Sequence, residues 1–148
     1  MSWNKLETAD PELAAFGVER LVSSGVAYLA TIRPDGAPRV HPVTPIVGQG
    51  RLFLFMEPTS PKGHDLQRDA RYAMHCSVEN SGGGGGEFFI SGHAQLVEDP
   101  ALRQIATKAS SFTPAERYIL FELDLEQASS TSYEGDNTVR KRWRIDRG

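Results

Sequence analysis

The sequence predicts an α+β protein in which an antiparallel β-barrel carries short helices at its periphery. Its 148 residues fit a single domain with one core. Short polar residues followed by proline mark several helix starts, and runs of apolar and β-branched residues recur between turn signals. Several strands at this spacing favour a barrel. We therefore assign residues 1–25 to an N-terminal helical segment and residues 26–148 to the barrel with its helices.

The predicted helices begin where a side-chain acceptor at the N-cap precedes a proline with a preset φ. The pairs are Asp10-Pro11, Ser60-Pro61, Asp99-Pro100 and Thr113-Pro114. After the first pair, Leu13, Phe16 and Leu21 recur at helical spacing, and Gly25 is predicted to end that helix. Glu116 follows Thr113 at the spacing of a capping box, which predicts a helix there as well.

The predicted strands lie between these helices and are bounded by turn residues. They cover residues 26–32, 39–47, 51–56, 72–78, 87–97, 120–125 and 139–145, and residues 132–134 are a candidate for a further strand. Pro42 and Pro45 indicate that the second strand lies at an edge or contains a bulge. The run of glycines in residues 81–86 predicts a mobile hairpin loop that does not pack.

The composition argues against several classes of protein. No apolar run approaches the ~20 residues that a membrane helix needs, and the first residues lack the basic and apolar regions of a secretory signal. The net charge of −3 gives no general attraction to nucleic acid, and the basic run at residues 140–144 is too short to change this. We therefore expect a cytoplasmic protein that binds neither membranes nor nucleic acid.

The histidines and the cysteine indicate neither a metal site nor a nucleophile. Cys76 is the single cysteine, so there is no internal disulfide and no multi-cysteine site. The four histidines do not show the spacing of helical metal ligands. His75 and Cys76 are neighbours on a predicted strand and point to opposite faces, which argues against a catalytic pair.

Three segments resemble a known family. Residues 27–40 read AYLATIRPDGAPRV, which is similar to the family pattern ATxxxDGxPxV. Residues 60–73 read SPKGHDLQRDARYA, which is similar to the family pattern SxKxxxLxxxPRxA, and they follow the apolar strand LFLF. Residues 89–94 read FISGHA and resemble a family strand with the pattern v-x-G-x-A/V. The chain thus resembles the pyridoxamine 5'-phosphate oxidase-like group. This resemblance implies an FMN-binding split barrel, a homodimer with the cofactor at its interface, and flavin-dependent oxidation or reduction of a small molecule.

The Ser60-Pro61-Lys62 corner is the strongest candidate site. A helix N-terminus offers unpaired N–H groups and partial positive charge, and a serine hydroxyl and a lysine ammonium add to its attraction for phosphate. From the residues alone, Ser60 could equally be a simple cap and Lys62 a solvated side chain. The resemblance implies that Ser60 and Lys62 hold the FMN phosphate.

The second and third strands carry the other cofactor-binding candidates. The resemblance places Pro42, Val43 and Thr44 beneath the flavin ring, and the basic residue that reaches the phosphate falls on His41. Arginine is commoner at that position, and Arg39, two residues away on the same face, could substitute. The resemblance also places Phe55 and Met56, at the end of the third strand, near the flavin ring. For Phe55 the alternative is ordinary core packing.

The last strand supplies a third group of candidates. The resemblance implies that Trp143 and Arg142 approach the flavin from the partner subunit. The alternative is ordinary strand packing, with Trp143 and Ile145 inward and the arginines in solvent.

Two departures from the family pattern leave alternatives open. His41 and Pro61 stand where many relatives carry arginine, which weakens the case for tight FMN binding and leaves room for the 5-deazaflavin coenzyme F420. A flavin- or heme-binding sensor without turnover, and a barrel that binds no cofactor, are also open. Neither the substrate nor a catalytic acid or base is evident from the sequence.

Overall fold

The computed structural model describes residues 2–146, which contain four helices and eight strands. In chain order these are α1 (Asn4–Ala9), α2 (Pro11–Val22), β1 (Ala27–Ile32), β2 (Pro38–Val43), β3 (Ile46–Gly48), β4 (Arg51–Met56), α3 (Pro61–Arg68), β5 (Arg71–Cys76), β6 (Glu87–Val97), α4 (Pro100–Ala109), β7 (Ile119–Glu134) and β8 (Asn137–Arg144).

The strands form one antiparallel sheet in the order β2-β1-β5-β6-β7-β4-β3, and β8 pairs with β7. Leu29 of β1 and Leu54 of β4 lie far apart in this order, yet both belong to the same buried apolar cluster. The sheet therefore curves around a common core. The predicted α+β class with an antiparallel sheet is confirmed. No helix in residues 2–146 is both long and apolar enough to cross a membrane.

Three of the predicted helix starts are confirmed with their caps. The Asp10 carboxylate accepts the Leu13 N–H at 3.1 Å, and the Ser60 hydroxyl accepts the Gly63 N–H at 3.2 Å. Asp99 caps α4 in the same way. Helix α2 ends at Val22, slightly before the predicted Gly25. Helix α1 was not predicted, because its six residues carry no capping side chain.

The helix predicted after Thr113 is wrong. Residues 110–118 are irregular, and β7 begins at Ile119. The guanidinium of Arg103 on α4 donates to the carbonyl oxygens of Ala115 and Tyr118 at 3.2 and 2.7 Å. This contact comes from the preceding helix, outside the segment itself, and fixes the segment in a non-helical path.

Two strand predictions need correction. The second predicted strand is divided into β2 and β3, because Thr44 and Pro45 leave the ladder and proline has no N–H to donate. The segments predicted at 120–125 and 132–134 belong to one strand, β7, whose first part pairs with β4 and whose last part pairs with β8.

A bulge lets β6 and β7 remain paired over this length. Ser91 pairs with Gln127, but Gly92 pairs with Leu125, so Glu126 is an extra residue in β7. A Cβ atom on Gly92 would overlap the Asp124 carbonyl oxygen and lie 3.0 Å from the Asp124 carbonyl carbon. Only glycine fits this close approach of two backbones.

The glycine-rich loop at residues 81–86 joins β5 to β6, as the sequence predicts, and makes defined contacts, while its mobility stays a prediction. Asn80 Oδ1 accepts the N–H groups of Gly82 and Gly84 at 2.9 and 3.1 Å. Gly85 has φ +80°, and a Cβ atom there would lie 2.7 Å from Cζ of Arg20. The glycines thus allow the loop to lie directly against the Arg20 guanidinium, with a backbone of positive φ at Gly85 that glycine adopts without strain.

Candidate functional site

The candidate site begins at the corner where β4 turns into α3. Ser60 caps the helix through its hydroxyl oxygen, and Lys62 is the second helical residue. Lys62 is half-buried, and burial lowers the pKa of its ammonium below the ordinary 10.5. No hydrogen bond or ion pair joins this ammonium to another residue in the part of the chain that the structure describes. The corner therefore holds a partly desolvated positive charge at a helix N-terminus.

A cleft of about 240 Å³ opens beside Lys62. Its lining residues are Pro42, Val43, Thr44, Phe55, Met56, Glu57, Lys62, Phe112 and Tyr118. The structure thus brings together six of the residues singled out from the sequence, drawn from β2, β4 and α3 and from the turn after β2. Sequence reasoning missed the other three, which come from the turn after β4 and from residues 110–118.

Arg39 is not among the residues that line this cleft, and its side chain is paired with a carboxylate. Its Nε donates to Asp65 Oδ2 at 2.8 Å, and Thr31 Oγ1 donates to the same oxygen at 2.8 Å. Arg68 donates to Asp65 Oδ1 at 3.0 Å. Asp65 is only 1% exposed, so one buried carboxylate ties β1, β2 and α3 together.

Asp65 stays ionised because its partners outweigh its burial. Burial alone would raise the pKa of this carboxyl, but the hydrogen bonds from Arg39, Thr31 and Arg68 hold it below the ordinary 3.8. The network fixes the distance between β2, which carries the predicted ring-binding residues, and α3, which carries Lys62. His41 lies on the same face of β2 as Arg39, opposite Leu29 of β1, and is half-buried outside the cleft lining.

The far members of the cleft are held by two arginines. Arg117 forms a bidentate ion pair with Glu57, in which Arg117 Nε lies 2.9 Å from Glu57 Oε2. This contact lowers the pKa of the Glu57 carboxyl. Arg103 lies 5.1 Å from the centroid of the Phe55 ring, and Phe55 meets Phe112 edge-to-face at 6.3 Å. Phe55 packs on a buried cluster, as expected for a core residue, and also lines the cleft; its contact with a cofactor stays a prediction.

Trp143 and Arg142 lie in a different place within the protomer. Trp143 pairs with Ala128 and packs against the main core, whereas Arg142 pairs with Ser129 on the opposite, exposed face. Both line a second hollow of about 570 Å³, and no residue is common to this hollow and the Lys62 cleft. Within one subunit, the two groups of predicted cofactor residues do not meet.

Outside the two hollows, the structure defines the surroundings of Cys76 and His75. No group of three or more potential metal ligands occurs in residues 2–146. Cys76 is buried, and its sulfur accepts the Phe88 N–H at 3.2 Å. His75 Nδ1 instead lies 2.6 Å from the backbone oxygen of Cys76. Burial acts to raise the pKa of the Cys76 thiol, but hydrogen bonds with His75 and with the Phe88 N–H lower it, and the contact with Cys76 raises the pKa of His75 to about 9.

The family model of pyridoxamine 5'-phosphate oxidase matches residues 10–131 of the sequence. The chain belongs to this family. The match spans most of the barrel, including β4, α3 and the Lys62 corner. A search of curated proteins gave no match.

Solved structures of similar fold include both flavin and heme proteins. A pyridoxamine 5'-phosphate oxidase-related, FMN-binding protein from Nostoc punctiforme has a TM-score of 0.69 at 16% identity, covering 93% of this chain and 91% of that one. A heme storage protein from Vibrio cholerae has a TM-score of 0.59 at 16% identity, covering 85% and 92%. A heme-binding protein from Mycobacterium smegmatis has a TM-score of 0.64 at 16% identity. The match covers 86% of this chain but only 57% of that protein. At these identities the likeness shows the shared split-barrel fold.

Proposed function

We propose that this protein binds FMN in the Lys62 cleft and uses it to oxidise or reduce a small molecule. The observation that carries this proposal is the half-buried Lys62 ammonium, which has no carboxylate partner among the described residues and lies beside the strand ends predicted to hold a flavin ring. A desolvated cation without a counter-ion favours binding of an anion. Membership of the pyridoxamine 5'-phosphate oxidase family supports a flavin as the bearer of that anion.

The groups at the corner fit a phosphate. Lys62 supplies a full charge and its own backbone N–H at the positive end of α3, whereas Pro61 has no N–H and those of Gly63 and His64 bond to Ser60. The Ser60 hydroxyl oxygen accepts from Gly63, which leaves its O–H free to donate. A bound flavin would supply the two-electron chemistry. The role of this chain would then be to fix the phosphate at Lys62 and to exclude water from the ring at Val43 and Met56.

The cofactor site would be completed in a homodimer. Directly paired residues share a face of the sheet, and cross-strand pairing places one row of residues on the face away from the core: Pro42, Tyr28, His75, Phe89, Ser129 and Arg142. Pro42, Tyr28 and Arg142 are exposed, and the other three are half-buried. On this face, Tyr28 is 44% exposed and Val40 is 63% exposed. Burying this surface against a second copy would bring Arg142 of one subunit towards the cleft of the other, a meeting that one subunit alone does not allow.

The Lys62 contact is tested by titration with FMN. Lys62→Ala removes a charge-assisted contact and is expected to weaken FMN binding by about 10- to 100-fold. Lys62→Arg keeps the charge and should retain most of the affinity. Flavin fluorescence and absorbance report both constants. Equal FMN affinity of the wild type and the alanine variant would contradict the phosphate role.

The dimer is tested by placing a charge on the exposed sheet face. Val40→Glu is expected to convert the dimer into a monomer and to lower FMN affinity, because a carboxylate would be buried at the interface. Val22→Glu is the matched control, since Val22 is also exposed but lies on α2. Light scattering gives the mass of each variant. A wild-type protein that is monomeric with FMN bound would exclude a shared site.

Two other cofactors are tested in the same titration. Coenzyme F420 also carries phosphate, and histidine and proline at positions 41 and 61 motivate its inclusion. Heme binding is supported by the heme proteins among the similar folds, and one of the four histidines would have to supply the axial ligand. A Soret band upon addition of hemin, without uptake of either flavin, would favour this second function.

A further inference from the structure

The irregular segment at residues 110–118 forms part of the Lys62 cleft. Phe112 and Tyr118 both line it, and Phe112 is 37% exposed. This ring lies open to solvent at the edge of the cleft, where a bound ligand would cover it. The segment has no helix or strand of its own to fix these rings. Their position must therefore depend on side-chain contacts.

Arg103 supplies the contacts that hold the backbone of the segment from α4. Its Nη1 donates to the Tyr118 carbonyl oxygen at 2.7 Å, and its Nη2 lies 3.2 Å from the carbonyl oxygens of both Ala115 and Glu116. The same guanidinium lies over the ring of Phe55, which meets Phe112 edge-to-face. One cation thus fixes the backbone of the segment and one ring of the cleft at once.

Charge on this side of the cleft is neutralised. The Glu57 carboxylate lines the cleft and is paired with Arg117 through both of its oxygens. Arg117 also lies 5.3 Å from the centroid of the Tyr118 ring. The surface offered by Phe55, Phe112 and Tyr118 is therefore aromatic and without an unpaired charge, which suits a flat, uncharged group.

We propose that Arg103 is a positioning residue that holds residues 110–118 as an aromatic wall, and that this wall binds the planar ring of the ligand whose phosphate Lys62 holds. The inference rests on the proposed function and deepens it, because it assigns the two ends of one ligand to two parts of the cleft. Lys62 binds the anionic end. Phe55, Phe112 and Tyr118 bind the ring.

The two ends can be separated with three probes: FMN, riboflavin, which has the ring but no phosphate, and inorganic phosphate as a competitor. Phe112→Leu keeps apolar bulk and removes the ring, and Phe112→Tyr keeps the ring. Arg103→Met removes the donors to the segment. We expect Phe112→Leu and Arg103→Met to lower the affinities for riboflavin and for FMN by the same factor, about 5- to 10-fold. Inorganic phosphate should compete with FMN as strongly in these variants as in the wild type. Phe112→Tyr should bind as the wild type does.

The outcomes distinguish this inference from the proposed function. Lys62→Ala should show the opposite pattern, with weaker FMN and phosphate binding but unchanged riboflavin binding. If Phe112→Leu binds riboflavin like the wild type while the wild type binds FMN, the aromatic wall is wrong and the phosphate corner stands. If the wild type binds neither flavin, the proposed function fails and this inference fails with it. If Arg103→Met does not fold, the Phe112 pair decides, since Phe112 is an exposed residue whose change leaves the core intact.

Discussion

Asp65→Ala is expected to destabilise the protein by about 3 kcal/mol, because it removes the acceptor of a buried charge network. The carboxylate accepts from Arg39, Thr31 and Arg68, and its side chain is 2% exposed. The alanine variant leaves Arg39, at 23% exposure, without its partner. Since the network ties β2 to α3, FMN affinity should fall as well. Urea denaturation at neutral pH measures the loss of stability.

The pH dependence gives this prediction a second readout. The folded-state pKa of Asp65 lies below the ordinary 3.8, so its contribution is fully present above the unfolded pKa of about 4. It is lost as the pH falls through the lower folded pKa. The stability difference between the wild type and Asp65→Asn should therefore be constant from neutral pH to about pH 5 and shrink at lower pH.

The surface pair of Asp69 and Arg71 is the matched control. It has the same residue types and lies just beyond α3, but its side chains are more exposed, at 26% for Asp69 and 66% for Arg71, so Asp69→Asn should lower the stability at neutral pH by less than Asp65→Asn does. A pH-independent difference for Asp65→Asn, or an effect no larger than that of Asp69→Asn, would show that the buried network does not stabilise the fold.

The network also explains which parts of the site could be predicted from the sequence. Ser60 and Lys62 belong to one local motif, so their common position at a helix N-terminus follows from the residues between 60 and 63. The contact between Arg39 and Asp65 joins positions 26 residues apart. No spacing rule predicts it, and the sequence therefore leaves Arg39 as a free cation near phosphate. Its role towards a cofactor stays a prediction.

The fold shows the same division between contacts within an element and contacts between elements. The caps at Asp10, Ser60 and Asp99 were predictable because each side chain accepts a backbone N–H only two or three residues further along the chain. The helix predicted at Thr113 fails because Arg103 captures the backbone of that segment. Likewise, Phe112 and Tyr118 reach the cleft only through the path of that segment, so no pattern in the sequence marks them as site residues.

Gly92→Ala is expected to destabilise the protein by more than about 3 kcal/mol or to prevent folding, because the new methyl group would overlap backbone. The Asp124 carbonyl lies where the Cβ atom would be, and its carbon would be 3.0 Å away. A backbone carbonyl cannot rotate aside as a side chain can. The Asp124 oxygen also accepts the hydroxyl of Tyr72 at 3.0 Å, so moving β7 would break a second contact.

Two control variants separate this overlap from general effects. Gly36→Ala tests the replacement of a glycine with positive φ, since φ is +85° and a Cβ atom there would meet nothing within 4 Å; it should cost about 1 kcal/mol. Ser91→Ala removes the hydroxyl that accepts from Gln127 at 2.6 Å, again for about 1 kcal/mol. If Gly92→Ala unfolds at the same urea midpoint as either control, β6 and β7 can separate at the bulge without loss of stability. The close backbone contact at Gly92 would then not be needed for the pairing of these two strands.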